Sequence, residues 1–214
     1  MSARFTPEAF VFDFDGTMVD SEAATLEIAK PIISKHLGRE VMGEEMDGLK
    51  GKVWKKEFRR WFPDTHYQVY NEIVEAWELT KPVIEPYHGI AEVIIFLHRK
   101  RIPLGIASSR EARLVREILE NLGWEGYFGA VVGQEDTEKH KPEPHPLIKA
   151  AEILDVSPDD CIYIGDQAWD IQSSRAAGML SGAALWGEGR IALLKNEKPD
   201  FMFHSPGDVI GKLF

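Results

Sequence analysis

The sequence DFDGT at residues 13–17, which follows the apolar run Ala9–Phe12, restricts the fold and chemistry of this chain more than any other feature. The apolar run predicts a short buried strand, so two aspartates come where that strand ends. Side chains alternate along an extended chain, so Asp13 and Asp15 start out on the same side of it. Two close carboxylates repel each other unless a cation or a shared proton relieves them. An Asp-Gly turn is the simpler interpretation, and the rest of the chain must decide between the two.

Apolar runs and helical stretches alternate along the chain after about residue 86. This alternation predicts an α/β fold, a Rossmann-like parallel sheet with helices on both faces, whose first strand ends at Asp13. The further strands are predicted at Ile102–Ala107, Ala130–Val132, Cys161–Ile164 and Leu180–Leu185, and the helices at Gly89–Lys100, Glu111–Leu122, Pro146–Leu154 and Asp170–Ala177.

Residues 18–85 break this alternation and predict a small all-helical cap domain inserted after the first strand, with residues 1–17 and 86–214 as the core domain. One helix is predicted at Glu22–Leu37, which Pro31 should kink or divide. Aromatic stripes at helical spacing could line a substrate pocket, but the core of a helical bundle is the favoured interpretation. The stripes are Trp54, Phe58, Trp61 and Phe62, followed by Tyr67, Tyr70, Val74 and Trp77.

Composition and charge exclude several classes of protein. The net charge of −10 argues against nonspecific nucleic-acid binding. The longest apolar stretches, such as Val93–Leu97, are too short to cross a bilayer, and the N-terminus lacks the pattern of a secretion signal. The single cysteine, Cys161, is predicted to be a buried strand residue and cannot form an internal disulfide, which fits a reducing compartment. We therefore predict a cytoplasmic protein without membrane or nucleic-acid partners.

Three more polar features follow later strands, and ligands of open parallel sheets bind at that edge. Ser108 and Ser109 precede a predicted helix, whose free N–H groups favour an anion. Lys141 stands between a histidine and a proline in a stiff loop and can present a fixed positive charge. Asp166 and Asp170 form a second acid pair, and carboxylate oxygens suit magnesium.

Each of these features also has a simpler interpretation. Ser108 with Glu111 fits a helix capping box. Lys141 fits a solvated loop lysine, and Asp170 fits a helix N-cap. The combination is what favours a site, because all of the features are predicted at one edge of the sheet. Together they supply a nucleophile, an acid–base partner, a phosphate cradle and a metal site.

The ordered set of Asp13-to-Thr17, Ser108, Lys141 with its proline, and Asp166 with Asp170 resembles the four motifs of the haloacid dehalogenase superfamily. The similarity spans nearly the whole chain and fits the phosphatase branch with a helical cap, which includes phosphoglycolate phosphatases and beta-phosphoglucomutases. The resemblance implies that Asp13 attacks phosphorus to form an aspartyl-phosphate. It implies that Asp15 protonates the leaving oxygen and then activates water.

The resemblance also implies a magnesium ion held by the Asp13 side chain, the main-chain carbonyl of Asp15 and Asp166. Asp170 is predicted either to bind the ion or to orient its surroundings. Ser108 and the amide of Ser109 would hold the phosphoryl oxygens, and Lys141 would offset their charge. The expected partner is a small phosphorylated metabolite, bound by a monomer or homodimer.

Residues of the cap and the acid at position 15 help to distinguish a phosphatase from other functions found on this type of fold. Lys50 and Lys52 stand in a short loop where they could meet an anionic substrate, although a solvated face is equally consistent. They also keep a phosphonate hydrolase with a Schiff-base lysine open. A dehalogenase needs neither Asp15 nor a metal. A sugar phosphomutase is the closest rival, but such enzymes tend to carry a histidine where this chain has Thr25. A non-catalytic binding module would be expected to lose a motif residue, and none is lost.

Overall fold

Residues 6–214 are described by a computed structural model, in which the chain forms two compact units. The first unit comprises the chain up to Asp20 together with Pro86–Phe214, and the second comprises Ser21–Glu85. The eight strands are β1 (Ala9–Phe12), β2 (Val19–Asp20), β3 (Glu85–Pro86), β4 (Leu104–Ala107), β5 (Ala130–Val132), β6 (Cys161–Gly165), β7 (Leu180–Ala184) and β8 (Phe201–Phe203).

Ten α-helices accompany these strands within the described residues. Those of the second unit are α1 (Glu22–Leu37), α2 (Gly43–Asp47), α3 (Trp54–Trp61) and α4 (His66–Thr80). Those of the first unit are α5 (Ile90–Arg99), α6 (Ala112–Asn121), α7 (His145–Leu154), α8 (Ala168–Ala177), α9 (Ile191–Asn196) and α10 (Gly207–Leu213). No helix in residues 6–214 is both long and apolar enough to cross a membrane.

The first unit is built on a six-stranded parallel sheet in the order β5-β4-β1-β6-β7-β8. Strand β1 is central, and Phe12 at its end pairs with Ile106 of β4 and with Ile164 of β6. All four residues of β1 are fully buried, which explains why this strand is a continuous apolar run. The carboxyl ends of β1, β4 and β6 therefore lie side by side, and the predicted α/β fold is confirmed.

Most predicted elements of this unit differ from the observed ones only at their ends. Helix α8 begins at Ala168, two residues before the predicted start, and β4 begins at Leu104 rather than Ile102. Cys161 is buried in β6, as predicted. Strand β8 was not predicted, because three residues with a partly exposed Met202 at the middle give too short a pattern.

The second unit is a helical bundle in which α1 and α3 pack against α4. Phe58 is fully buried at its centre, and Phe62 and Tyr70 belong to the same cluster. The aromatic stripes are thus largely the bundle core, although Tyr67 is 61% exposed. Pro31 does not divide α1, since it lies on the exposed side of a continuous helix.

Candidate active site

The DFDGT segment turns sharply at the carboxyl end of β1. The Asp13 amide donates to the carbonyl of Ile164 at 2.8 Å, which extends the strand pairing as far as the acid. Gly16 has a φ of +79°, and a Cβ there would lie 2.7 Å from Asp166 Oδ2. The Asp-Gly turn is therefore real, and it also brings the backbone close to a second acid. The two interpretations of the DFDGT segment are therefore compatible, because the glycine turn is what brings this segment next to Asp166.

Lys141 is the centre of a buried polar cluster. Its Nζ lies 3.0 Å from Asp13 Oδ1 and 2.7 Å from Asp170 Oδ1, and it donates to the Tyr163 hydroxyl at 3.0 Å. Only 3% of the lysine side chain is exposed, so the solvated-loop interpretation is wrong. Tyr163 donates in turn to the Ala107 carbonyl at 2.8 Å. Tyr163 was not among the predicted site residues. Its one signal in the sequence is that it carries a hydroxyl group within the buried apolar run of β6.

Burial and charge act in opposite directions on this cluster. Burial raises the pKa of Asp13 well above its usual range, Lys141 lowers it, and Asp170 and Asp166 raise it further. Burial by itself lowers the pKa of Lys141, but Asp13 and Asp170 outweigh it, so that the net pKa is raised and the lysine keeps its charge. Asp13 and Asp170 thus share one buried ammonium, and Asp166 lies close enough to Asp13 to raise its pKa further.

Carboxylate oxygens of Asp13, Asp166 and Asp170 lie within 4.8 Å of one another, and all three residues are buried. Hard cations such as magnesium prefer such oxygens, so the donor chemistry fits a divalent metal. Asp166 accepts a hydrogen bond from the Thr17 hydroxyl at 3.2 Å and another from Gln167 Nε2 at 2.9 Å. The cluster could therefore bind a metal ion, and its geometry is held by neighbouring side chains.

Asp170 both stabilises the start of α8 and pairs with Lys141. Its Oδ2 accepts from the Gln167 amide at 2.9 Å and caps α8, while Oδ1 faces Lys141. The N-cap itself is Gln167, and Asp170 is the third residue of the helix. A Cβ at Gly165 would lie 2.4 Å from Asp170 Cγ, so glycine is required there. Asp170 thus fixes the position of Lys141 from a rigid helix start.

Asp15 pairs with Arg110, an arginine outside the predicted set of site residues. Arg110 Nη2 lies 2.7 Å from Asp15 Oδ1, and Nε lies 3.1 Å from both carboxylate oxygens. The available signal was the position of Arg110, directly after Ser108 and Ser109 at the end of β4. The two acids of the first motif therefore have different partners, a lysine for Asp13 and an arginine for Asp15.

Ser108 is buried after β4, and its hydroxyl accepts the Arg110 amide at 3.1 Å. The capping-box interpretation is wrong, because α6 begins at Ala112 and the Ala112 amide donates to Glu135. Ser109 is half-buried in the same loop. The predicted binding of phosphoryl oxygens by Ser108 and Ser109 stays a prediction.

The loop after β7 closes tightly on the acid cluster and was also missed in the sequence. Trp186 Nε1 donates to the Thr17 carbonyl at 2.9 Å. A Cβ at Gly187 would lie 2.6 Å from the Asp166 Cβ, and one at Gly189 would lie 1.5 Å from the Asp166 carbonyl oxygen. These two glycines allow the loop backbone to pack directly on Asp166.

Within the second unit, Lys50 and Lys52 lie in the loop between α2 and α3. The Gly51 amide between them donates to Glu22 Oε1 at 2.9 Å, which fastens the loop to the start of α1. Lys50 Nζ lies 3.4 Å from Asp47 Oδ1. Both lysines are half-buried, and their binding of substrate stays a prediction.

Comparison with known proteins is consistent with this arrangement. A family model described as haloacid dehalogenase-like hydrolase matches residues 10–184. A phosphoglycolate phosphatase from Aquifex aeolicus is 31% identical over 211 residues, which cover 94% of this chain and 93% of that protein. A Caldanaerobacter subterraneus protein named "Putative pyrophosphatase PpaX" is 32% identical over 205 residues, covering 90% of this chain and 88% of the relative.

The fold also matches that of solved structures. The crystal structure of a beta-phosphoglucomutase from Clostridium difficile superposes with a TM-score of 0.83 at 21% identity, covering 97% of each chain. At that level of identity the likeness concerns the fold alone. The two sequence relatives carry different substrates in their names.

Proposed function

This chain belongs to the haloacid dehalogenase-like hydrolase family, and we propose that it is a magnesium-dependent phosphatase that hydrolyses a small organic phosphate monoester through an aspartyl-phosphate on Asp13. The observation that carries the proposal is the placement of Asp13. Its Oδ1 accepts the Phe14 amide at 2.8 Å and faces Lys141 at 3.0 Å. A carboxylate held through one oxygen leaves the other available to a substrate. Relatives named as phosphatases support the same reaction class.

In the first step, a carboxylate oxygen of Asp13 attacks phosphorus in line with the leaving group. An oxygen–phosphorus bond forms to Asp13 as the ester bond breaks, and Asp15 gives its proton to the departing oxygen. Ser108 and the amide of Ser109 would hold the transferring oxygens. Lys141 would offset their charge from the buried side, and positioning with charge compensation supplies most of the rate in such transfers.

In the second step, Asp15 acts as the base. It takes a proton from a water molecule, whose oxygen attacks phosphorus as the bond to Asp13 breaks. Inorganic phosphate leaves, the Asp13 carboxylate is restored, and Asp15 is protonated for the next turnover. A group that is first an acid and then a base must lie within hydrogen-bond reach of both oxygens.

The metal would be held by the side chains of Asp13 and Asp166 and by the main-chain carbonyl of Asp15. We assign Asp170 to orienting Lys141, because its Oδ1 lies 2.7 Å from Lys141 Nζ while its Oδ2 accepts the Gln167 amide at the start of α8. Bound magnesium supplies positive charge for the phosphoryl oxygens and for this crowded set of carboxylates. The close approach of the three buried aspartates Asp13, Asp166 and Asp170 is the feature of the chain that fits it.

Removal of divalent metal with EDTA is expected to lower the rate of phosphate release at least about 100-fold, because the charge compensation is lost. Added Mg²⁺ should restore the rate. It should also raise the midpoint of thermal unfolding, because the ion binds the folded state only. Unchanged activity after exhaustive chelation would contradict the metal assignment.

Replacing Lys50 and Lys52 together with alanine is expected to raise the KM for an anionic substrate about tenfold with little change in kcat, because two charges in the α2–α3 loop are lost. Lys30→Ala with Lys35→Ala, two lysines on α1, serves as the charge-matched control. Equal Michaelis constants in the test and control variants would assign Lys50 and Lys52 to a solvated surface.

The experiment that tests the function as a whole is a phosphate-release screen over phosphoglycolate, sugar phosphates, nucleotides and pyrophosphate. We expect magnesium-dependent release from at least one of them. Thr25 favours water as the acceptor, since its hydroxyl donates to the carbonyl of Ser21, the N-cap of α1, and it has no ring nitrogen to move a proton. Conversion of one sugar phosphate isomer into another without net phosphate release would support a phosphomutase instead.

A further inference from the structure

Arg110 binds the Asp15 carboxylate through two nitrogens of its guanidinium group, in a forked contact. Its Nη2 lies 2.7 Å from Oδ1, and its Nε lies 3.1 Å from both oxygens. The side chains of the pair are 11% and 16% exposed, so the contact is largely shielded from water. A planar guanidinium fixes the direction of a carboxylate as well as its distance, which a lysine ammonium does not. The pair therefore sets where the Asp15 oxygens point.

The main chain around Arg110 is itself held at three points. The Arg110 amide donates to Ser108 Oγ at 3.1 Å, and the Arg110 carbonyl accepts the Gln134 amide at 2.9 Å. Two residues on, the Ala112 amide donates to both Glu135 carboxylate oxygens, at 3.0 and 3.2 Å. The segment that follows β5 thus clamps the segment that follows β4. Arg110 is mounted on a rigid support.

The two segments also touch through their backbones. A Cβ at Gly133 would lie 2.2 Å from the Ala112 nitrogen, so the clamp depends on a glycine. Gly133 is in turn fixed by its amide, which donates to Asp136 Oδ2 at 2.8 Å. Neither segment can shift without the other. The backbone position of Arg110, between Ser108 and Ala112, is therefore fixed.

Each acid of the site is held by neighbouring side chains, and Arg110 does this for Asp15. Asp13 and Asp170 share Lys141, and Asp166 is held by Thr17 and Gln167. Asp15 lies in the turn after β1, and the fork from Arg110 contacts both of its carboxylate oxygens. A misplacement of a catalytic group by about 1 Å can cost about 100-fold in rate.

We propose that Arg110 is a positioning residue that aims the Asp15 carboxyl at the leaving oxygen. This inference rests on the proposed function, in which Asp15 passes its proton to that oxygen as the ester bond breaks. Arg110 does not touch the phosphoryl group in this assignment. A protonated carboxyl still accepts a hydrogen bond from the guanidinium, so the fork can persist through the proton transfer.

The test compares leaving groups, using kcat/KM, which reports the steps up to transfer of phosphorus. For Arg110→Ala, we expect a loss of about 100-fold with an alkyl phosphate and of less than about fivefold with 4-nitrophenyl phosphate, whose anion leaves without a proton. Arg110→Lys should fall between the wild type and Arg110→Ala, because a single ammonium holds the carboxylate without the fork.

Three controls separate this role from others. Arg113→Ala, which replaces an exposed arginine near the start of α6, should match the wild type with both substrates. In an Asp15→Asn background, Arg110→Ala should cost less than about twofold, because the group that it positions is gone. Circular dichroism of each variant verifies the fold.

An equal loss with both leaving groups, or a full additional loss in the Asp15→Asn background, would overturn the inference and assign Arg110 to the phosphoryl group or to folding. Activity retained by Asp13→Asn would instead overturn the proposed function itself. The two failures are therefore distinguishable.

Discussion

Asp13→Asn is expected to lower phosphate release by at least about 10⁴-fold, because an amide cannot attack phosphorus in place of a carboxylate. Asparagine keeps the size of the side chain, and its Oδ1 can still accept the Phe14 amide. The measurements are steady-state release of phosphate in Mg²⁺ and acid-quench trapping of labelled phosphate on the enzyme. We expect label on the wild type and none on the variant.

A matched control is Asp159→Asn, an exposed aspartate just before β6, at the opposite end of that strand from Asp166. It should keep wild-type rates and labelling. Phosphate release by Asp13→Asn at the wild-type rate would refute the covalent mechanism. Loss of activity with label still on the protein would place the nucleophile at another residue.

Lys141→Met is expected to have the second largest effect, on stability as well as rate. The variant leaves Asp13 and Asp170 buried without their shared ammonium, and breaking a buried pair costs about 3–5 kcal/mol in the free energy of unfolding. Phosphate release should fall at least about 100-fold, because charge compensation at the phosphoryl group is lost. Urea unfolding in metal-free buffer and a phosphate-release assay measure the two effects.

The loss of stability should depend on pH in a defined direction. Burial already raises the pKa of Asp13, and removing Lys141 removes the main influence that lowers it. An acid with a raised folded-state pKa destabilises the fold as pH rises through that range, because the unfolded chain releases the proton more readily. The difference between Lys141→Met and the wild type should therefore be larger at pH 8 than at pH 5.

Lys195→Met, an exposed lysine of α9, is the matched control and should unfold like the wild type at both pH values. A pH-independent difference, or none, would contradict the charge balance inferred for the cluster. Added Mg²⁺ should recover part of the lost stability, because a divalent cation can take over the compensation of the carboxylates.

The fold was predictable from the sequence because its signals are local. Each buried strand is an apolar run of a few residues, and helices such as α5 and α7 separate them at regular spacing. The positions of Asp13, Lys141, Asp166 and Asp170 at one edge follow from the rule that parallel strands end together. The contacts of Lys141 with Asp13 and Asp170 agree with that expectation.

Other parts of the site depend on pairings between distant residues, for which a single sequence carries no local signal. Arg110 and Asp15 are 95 residues apart and meet only because β4 lies beside β1. Tyr163 stands out in its strand only as a hydroxyl-bearing residue in a buried run, and its hydroxyl contact with Lys141, 22 residues away, has no local signal. The Ser108 interpretation failed for a related reason, since Glu135 from another segment supplies the contact that a local capping box would make.

The close packing of the β7 loop on Asp166 has a consequence for comparing sequences. Because the Asp166 carbonyl oxygen occupies the space that a Gly189 side chain would need, the residue aligned with Gly189 reports on the acid cluster from outside the four motifs. A relative with a larger residue there must have moved either its loop or its aspartate. The residue aligned with Gly189 therefore indicates whether a relative can pack this loop on its acid cluster in the same way.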